Sequence, residues 1–161
     1  EIAPVSVDLA EELRDRWDQV LAIHGASGAT LTLRAENPVP ARVDLTALER
    51  IVNNLVSNAV KYGGAEPDVT VTAKTDGDCA VLTVRDHGEG LKGADREDLL
   101  GAFVRGGNED VRTQQGTGLG LFLVHQLVEA HGGEMGLSDD LESHGTLVTV
   151  RLPPGGGRDE L

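Results

Sequence analysis

Residues 116–131 read Gly-Thr-Gly-Leu-Gly-Leu-Phe-Leu-Val-His-Gln-Leu-Val-Glu-Ala-His, three glycines in five positions running into an apolar stretch. Leu119, Phe122, Leu123, Leu127 and Val128 recur near helical spacing and predict a helix over about 118–131. A glycine inside a helix costs about 1 kcal/mol relative to alanine. Packing therefore gives a poor account of three glycines at one helix end. Glycines at a helix start expose backbone N–H groups, and the helix dipole adds positive potential, so phosphate is a natural ligand. The spacing is not the dinucleotide fingerprint, because the third glycine comes too early. It is not a P-loop either, because no Gly-Lys-Ser/Thr follows.

A second helix is predicted over about 45–62, with Leu48, Ile51, Val52, Leu55 and Ala59 apolar, Asp44 as its N-cap and Gly63-Gly64 as its stop. It carries Asn53, Asn54 and Asn58, although asparagine is a poor helix former. Asn54, Asn58 and Lys61 stand at i, i+4 and i+7 and so share one stripe, expected opposite the apolar face. Amide oxygens can ligate a hard cation such as Mg²⁺, and a lysine one turn away can meet phosphate charge. Taken alone, a solvated helix face explains the same residues equally well.

Strands are predicted over 30–35, 69–74 and 80–85, the last two joined by a turn at Asp76-Gly77. The third strand runs into Asp86-His87-Gly88-Glu89-Gly90. A carboxylate there can accept from an exocyclic amine such as that of adenine, and the glycines let backbone approach a flat ring. A plain strand-end turn remains the favoured reading of this motif by itself. Between it and the glycine-rich helix start lie Phe103, Arg105, Arg112 and Gln115, in a stretch rich in glycine and charge with one short helical patch near 97–103. Arginines in such a loop can clamp phosphate, and solvated loop charge competes as an explanation, more for Arg112 than for Arg105.

A first helix is expected from Val7 to about Ile23 with Asp8 as its cap, and two closing strands near 135–138 and 146–152. Pro38 and Pro40 mark a turn, and residues 154–161 a flexible tail. Helices packed on one face of a mixed sheet make a two-layer α/β sandwich. At 161 residues the chain fits one domain. Its aromatic content of 2% leaves the core to Leu, Val, Ile and Ala. A net charge of −13 argues against nucleic acid or an anionic membrane as partner. Cys79 is the single cysteine, which excludes an internal disulfide and a cysteine metal cluster; its apolar surroundings suggest a small core residue. No segment reaches membrane-spanning length and no signal peptide is visible. The start at Glu1 rather than Met suggests an excised piece of a longer, cytoplasmic protein, its parent free or anchored in the inner membrane.

In order and spacing, these motifs resemble the catalytic domain of sensor histidine kinases, in the ATPase superfamily that includes gyrase, MutL and a heat-shock chaperone. Asn54-Leu55-Val56-Ser57-Asn58-Ala59-Val60-Lys61-Tyr62 is similar to the family's N box, and Asp86-His87-Gly88-Glu89-Gly90 to its first glycine box. Phe103-Val104-Arg105 is similar to the F box, and Gly116-Thr117-Gly118-Leu119-Gly120-Leu121 to the second glycine box. His131-Gly132-Gly133 and Gly145-Thr146 with Leu152-Pro153 are also family-like, so the resemblance covers about 7–153. It implies the Bergerat ATP-binding fold, a mixed sheet with about three helices on one face, and an ATP lid over about 91–117. The F box departs from the family pattern, reading Gly101-Ala102-Phe103 without the usual flanking Glu or Pro.

The resemblance further implies Mg²⁺ at Asn58, with Asn54 and Gln115 near the same ion. Lys61, Arg105 and Arg112 would contact phosphates, and Asn58, Lys61 and Arg105 are the catalytic candidates. Tyr62 would lie against adenine, Asp86 would read its amine, Gly88 and Gly90 would line it, and Gly116, Thr117, Gly118, Leu119, Gly120 and Leu121 would give backbone donors. Superfamily members that hydrolyse ATP place a glutamate base where Asn54 stands here, and an amide takes no proton from water. The implied activity is therefore transfer of the γ-phosphoryl group from ATP to a histidine. None of His24, His87, His125, His131 and His144 has the surroundings of the accepting residue. The acceptor is expected on a dimerisation domain outside this chain, with a response regulator as indirect partner and the fragment itself a monomer. The alternative is a non-catalytic nucleotide-sensing or docking module of the same fold.

Overall fold

The computed structural model describes residues 1–25, 28–61, 66–87, 117–140 and 145–154, with backbone alone at 117–120 and 139–140. In chain order these form β1 (Val5–Asp8), α1 (Leu9–His24), β2 (Thr30–Ala35), β3 (Pro40–Val43), α2 (Leu45–Lys61), β4 (Asp68–Asp76), β5 (Cys79–Asp86), α3 (Thr117–Ala130), β6 (Glu134–Asp140) and β7 (Gly145–Leu152). A five-stranded sheet has the order β2-β4-β5-β7-β6, and β1 pairs with β3 in a separate two-stranded ribbon. Only β2 and β4 run parallel, which the long connection through β3 and α2 permits; the other neighbours are antiparallel.

Both early helices start on aspartate caps. Asp8 accepts from the Ala10 N–H at 3.1 Å and from Val39 N–H at 2.9 Å, so one carboxylate both caps α1 and ties it to the chain before β3. Asp44 accepts from the Ala47 N–H at 3.0 Å and from the Ala3 N–H at 2.7 Å. Leu48, Ile51, Leu55 and Val56 of α2 are buried, as are Leu9 and Leu13 of α1 and Leu121, Val124 and Val128 of α3. They share one core with Val69 and Val71 of β4, Leu82 and Val84 of β5, and Val150 and Leu152 of β7. Each such side chain stabilises by roughly 1.5–3 kcal/mol when taken fully out of water. The alternate strand positions Thr70, Thr72, Thr83 and Thr149 point away from this core, so the sheet is covered on one face. The expected two-layer sandwich with a mixed sheet is what forms.

Local expectations need four corrections. Val7 belongs to β1, because the Asp8 cap ends the strand and starts α1 at Leu9. The region around Pro38 and Pro40 contains β3, a four-residue strand that begins on Pro40, where a missing N–H is tolerated. The hairpin loop is Gly77-Asp78 rather than Asp76-Gly77, since Asp76 pairs with Cys79 and Gly77 has φ +63°. Cys79 starts β5 half-buried, at the sheet rim, and is not a core residue. The helical patch near 97–103, most of the lid and all but the first residue of the 154–161 tail lie outside the described residues.

Candidate functional site

Asp86 is the last residue of β5 and is 2% exposed. Strand alternation turns its side chain to the helix-covered face, where it stands opposite Thr146 of β7 and beside Val69 of β4. The backbone just beyond it is pinned. The His87 N–H donates to the Asp68 carbonyl at 3.0 Å, and the His87 ring lies 3.2 Å from the Thr70 hydroxyl. Gly145 packs against the same turn: a Cβ built there would stand 1.4 Å from the Asp86 carbonyl oxygen. Glycine at 145 is thus required by the close approach of β7 to the end of β5.

Thr146 follows, 8% exposed, and its hydroxyl has no hydrogen-bond partner among the described residues. Buried hydroxyls are nearly always bonded, so an unpaired one beside a buried carboxylate fits a polar ligand. Sequence reasoning singled out Asp86 and overlooked Thr146. The signal was available, because alternation along 146–152 puts Thr146 on the apolar side of the strand.

The candidate residues of α2 lie in its second half. Asn54 and Asn58 are half-buried, flanking the apolar face instead of lying opposite it, and only Lys61 at the helix end is exposed. Asn54 donates from Nδ2 to the Arg50 carbonyl at 2.7 Å, and Asn53 accepts from the His24 ring at 3.0 Å. The Asn58 Nδ2 is buried with no hydrogen-bond partner among the described residues. A buried amide donor suits an oxygen-rich ligand, and the same amide's oxygen suits a hard cation, so these positions fit a magnesium-bound phosphate.

Helix α2 packs against both β5 and α3. Asn54, Asn58 and Lys61 thus lie on α2, and the Asp86 turn and the helix start at Thr117 belong to the two elements packed against it. Thr117, Gly118, Leu119 and Gly120 form the first turn of α3, and Leu121 buries its side chain in the core, leaving its backbone for any ligand role. Tyr62, Gly88, Gly90, Arg105, Arg112, Gln115 and Gly116 lie outside the described residues. Four histidines have local partners: His24 on Asn53, His87 on Thr70, His125 near Glu129 at 3.6 Å, and His131 on Leu127 and Asp44. His144 is outside the described residues. None of the described helices is long and apolar enough to cross a membrane.

Comparison with known proteins defines the class. Residues 43–156 match the family described as histidine kinase-, DNA gyrase B-, and HSP90-like ATPase. The histidine protein kinase DivJ of Caulobacter vibrioides is 43% identical over 110 residues, which cover 68% of this chain and 18% of DivJ. The probable sensor protein PcoS of Escherichia coli is 34% identical over 149 residues, covering 91% of this chain and 30% of PcoS. A crystal structure of full-length ShkA in complex with AMPPNP superposes with a TM-score of 0.76 at 26% identity, over 98% of this chain and 32% of ShkA. The chain belongs to the histidine kinase-type ATPase family, as an ATP-binding catalytic domain of the sensor histidine kinase kind. It spans a third or less of the length of these relatives.

Proposed function

We propose that the domain binds Mg-ATP with the end of β5, the second half of α2 and the start of α3, and passes the γ-phosphoryl group to a histidine on a helical dimerisation domain. Asp86 carries the reading. A carboxylate buried to 2% at the end of a central strand needs donors, and the exocyclic amine of adenine supplies one. Thr146, across the strand pair, offers to the same base a hydroxyl with no partner among the described residues. Gly88 and Gly90, two and four residues past Asp86 in the sequence, would line the ring, and Tyr62 would lie against it.

Asn58, Asn54 and Gln115 would hold Mg²⁺, which would neutralise phosphate charge. Lys61, Arg105 and Arg112 meet the phosphate oxygens, and the backbone N–H groups of Gly116, Thr117, Gly118, Leu119, Gly120 and Leu121 donate to them. Chemistry of this kind asks the protein for position and charge more than for a base. An imidazole nitrogen of the acceptor attacks the γ-phosphorus, the bond to the bridging oxygen breaks, and ADP leaves. Asn54 has no proton-accepting carboxylate to activate water, so hydrolysis stays slow. The bound AMPPNP of ShkA and the four motifs in family order support this assignment.

The partners are ATP, the histidine-bearing domain and, downstream, a response regulator, with a cytoplasmic setting where ATP is supplied. The direct test supplies γ-labelled ATP, Mg²⁺ and the native helical domain. Acid-labile label on that domain is the expected result. Nucleotide uptake with no label transferred would instead establish a non-catalytic sensing module, and rapid phosphate release by the chain alone would establish an ATPase.

A further inference from the structure

His131-Gly132-Gly133 closes α3 with a hydrogen-bond pattern that leaves the histidine ring at a joint. The Gly132 N–H donates to the Glu129 carbonyl at 2.9 Å and the Gly133 N–H to the Val128 carbonyl at 3.0 Å, with Gly132 at φ +77°. This is the paired closure that caps a helix through a left-handed glycine. Gly133 then runs so close to β7 that a Cβ would stand 2.1 Å from the Arg151 carbonyl oxygen. The His131 side chain, 8% exposed, is held between two backbones: its Nδ1 lies 2.6 Å from the Leu127 carbonyl, and its Nε2 lies 3.0 Å from the Asp44 nitrogen. A carbonyl only accepts and a backbone N–H only donates. The ring is therefore neutral, with its proton on Nδ1 and its lone pair on Nε2 turned to Asp44.

Asp44 is the N-cap of α2, and His131 follows the last residue of α3. Helix α3 runs into this joint and α2 runs out of it. Asn58 lies fourteen residues after Asp44, and Thr117 lies fourteen before His131. At 1.5 Å per residue each stands about 21 Å along its helix from the joint. The two packed helices thus carry Asn58 and the first turn of the second glycine box at equal distances from the joint.

We propose that His131 is a positioning residue for the nucleotide site: its ring bolts α3 to the N-cap of α2, and so sets the axial register of the Thr117–Gly120 backbone donors against Asn58. Sliding α3 by a fraction of a turn would move those donors away from phosphates lying against Asn58. This rests on the nucleotide placement proposed above. Glutamine at 131 can keep the acceptor facing Asp44. Asparagine reaches only the Leu127 side, and phenylalanine keeps the packing without either bond.

The test is titration of Mg-ATP against the parent domain and three variants, at a temperature where circular dichroism shows each folded. His131→Gln binds within about twofold of the parent, whereas His131→Asn and His131→Phe bind roughly fivefold to tenfold more weakly, the effect of one hydrogen bond and a donor left unmade. Equal affinity of the Asn and Gln variants would overturn the proposal. A long-range ¹H–¹⁵N spectrum of the parent decides independently, even should the weaker variants fail to fold. Protonated Nδ1 and bare Nε2 on His131 support the joint, and the opposite tautomer or a doubly protonated ring contradicts it. A parent that takes up no Mg-ATP would count against the nucleotide reading itself, leaving the tautomer to decide the joint.

Discussion

Asp86 and Thr146 face each other across β5 and β7 on the helix-covered side of the sheet, a carboxylate and a hydroxyl in an otherwise apolar layer. Polar groups at such positions cost stability unless something bonds to them. Their pairing across one strand register sets the end of β5 apart from the rest of the strand, which is packing.

Gly145 makes that register possible. Gly145→Ala puts a methyl group into the Asp86 carbonyl, and backbone on both strands limits relief. The variant is expected to lose roughly 1–3 kcal/mol or more by urea unfolding, with weakened nucleotide binding as Asp86 shifts. Unchanged stability would mean that β7 approaches β5 less closely.

Leu82 lies in the middle of the central strand, fully buried between the sheet and the helices. Leu82→Ala is expected to cost about 2–5 kcal/mol from lost burial and the cavity left behind. The buried core around it is aliphatic, with Trp17 packed only against its edge. Denaturant midpoints measure this directly.

Two carboxylates make stability fall in acid. Hydrogen bonds from the Ala3 and Ala47 N–H groups hold Asp44 below the ordinary value of 3.8, against a smaller opposing effect of burial. The Arg151 guanidinium, bonded at 2.5 Å, does the same for Asp76. A folded-state value below the unfolded one means the stabilisation is complete above about pH 4 and is lost as pH falls through the folded values. Urea midpoints of the parent should therefore drop between about pH 5 and pH 3, and Asp44→Asn with Asp76→Asn should flatten that slope. An unaltered slope in the double variant would count against both assignments.

The architecture was legible because long periodic segments dominate it. Leu48, Ile51, Leu55 and Ala59 mark α2, alternating Val69, Val71 and Ala73 mark β4, and Asp8 and Asp44 are caps that the sequence announces. What escaped was short or tertiary in origin. Strands β1 and β3 have four residues each, too few for periodicity, and exist because they pair with one another. Asn54 and Asn58 stand three and seven residues from buried Ile51, so helical spacing itself sets them beside the apolar face and not opposite it. Thr146 and Gly145 gain their meaning only when β7 is laid beside β5, and His131 only when α3 ends against Asp44.

The most direct measurement is a calorimetric titration of the folded domain with ATP in the presence of Mg²⁺, beside Asp86→Asn. The parent is expected to bind. The variant, which loses a charge-assisted bond worth roughly 1.5–3 kcal/mol, is expected to bind about tenfold to a hundredfold more weakly while staying folded. A folded parent that takes up no adenine nucleotide, or an Asp86→Asn protein that binds as tightly as its parent, would contradict the account.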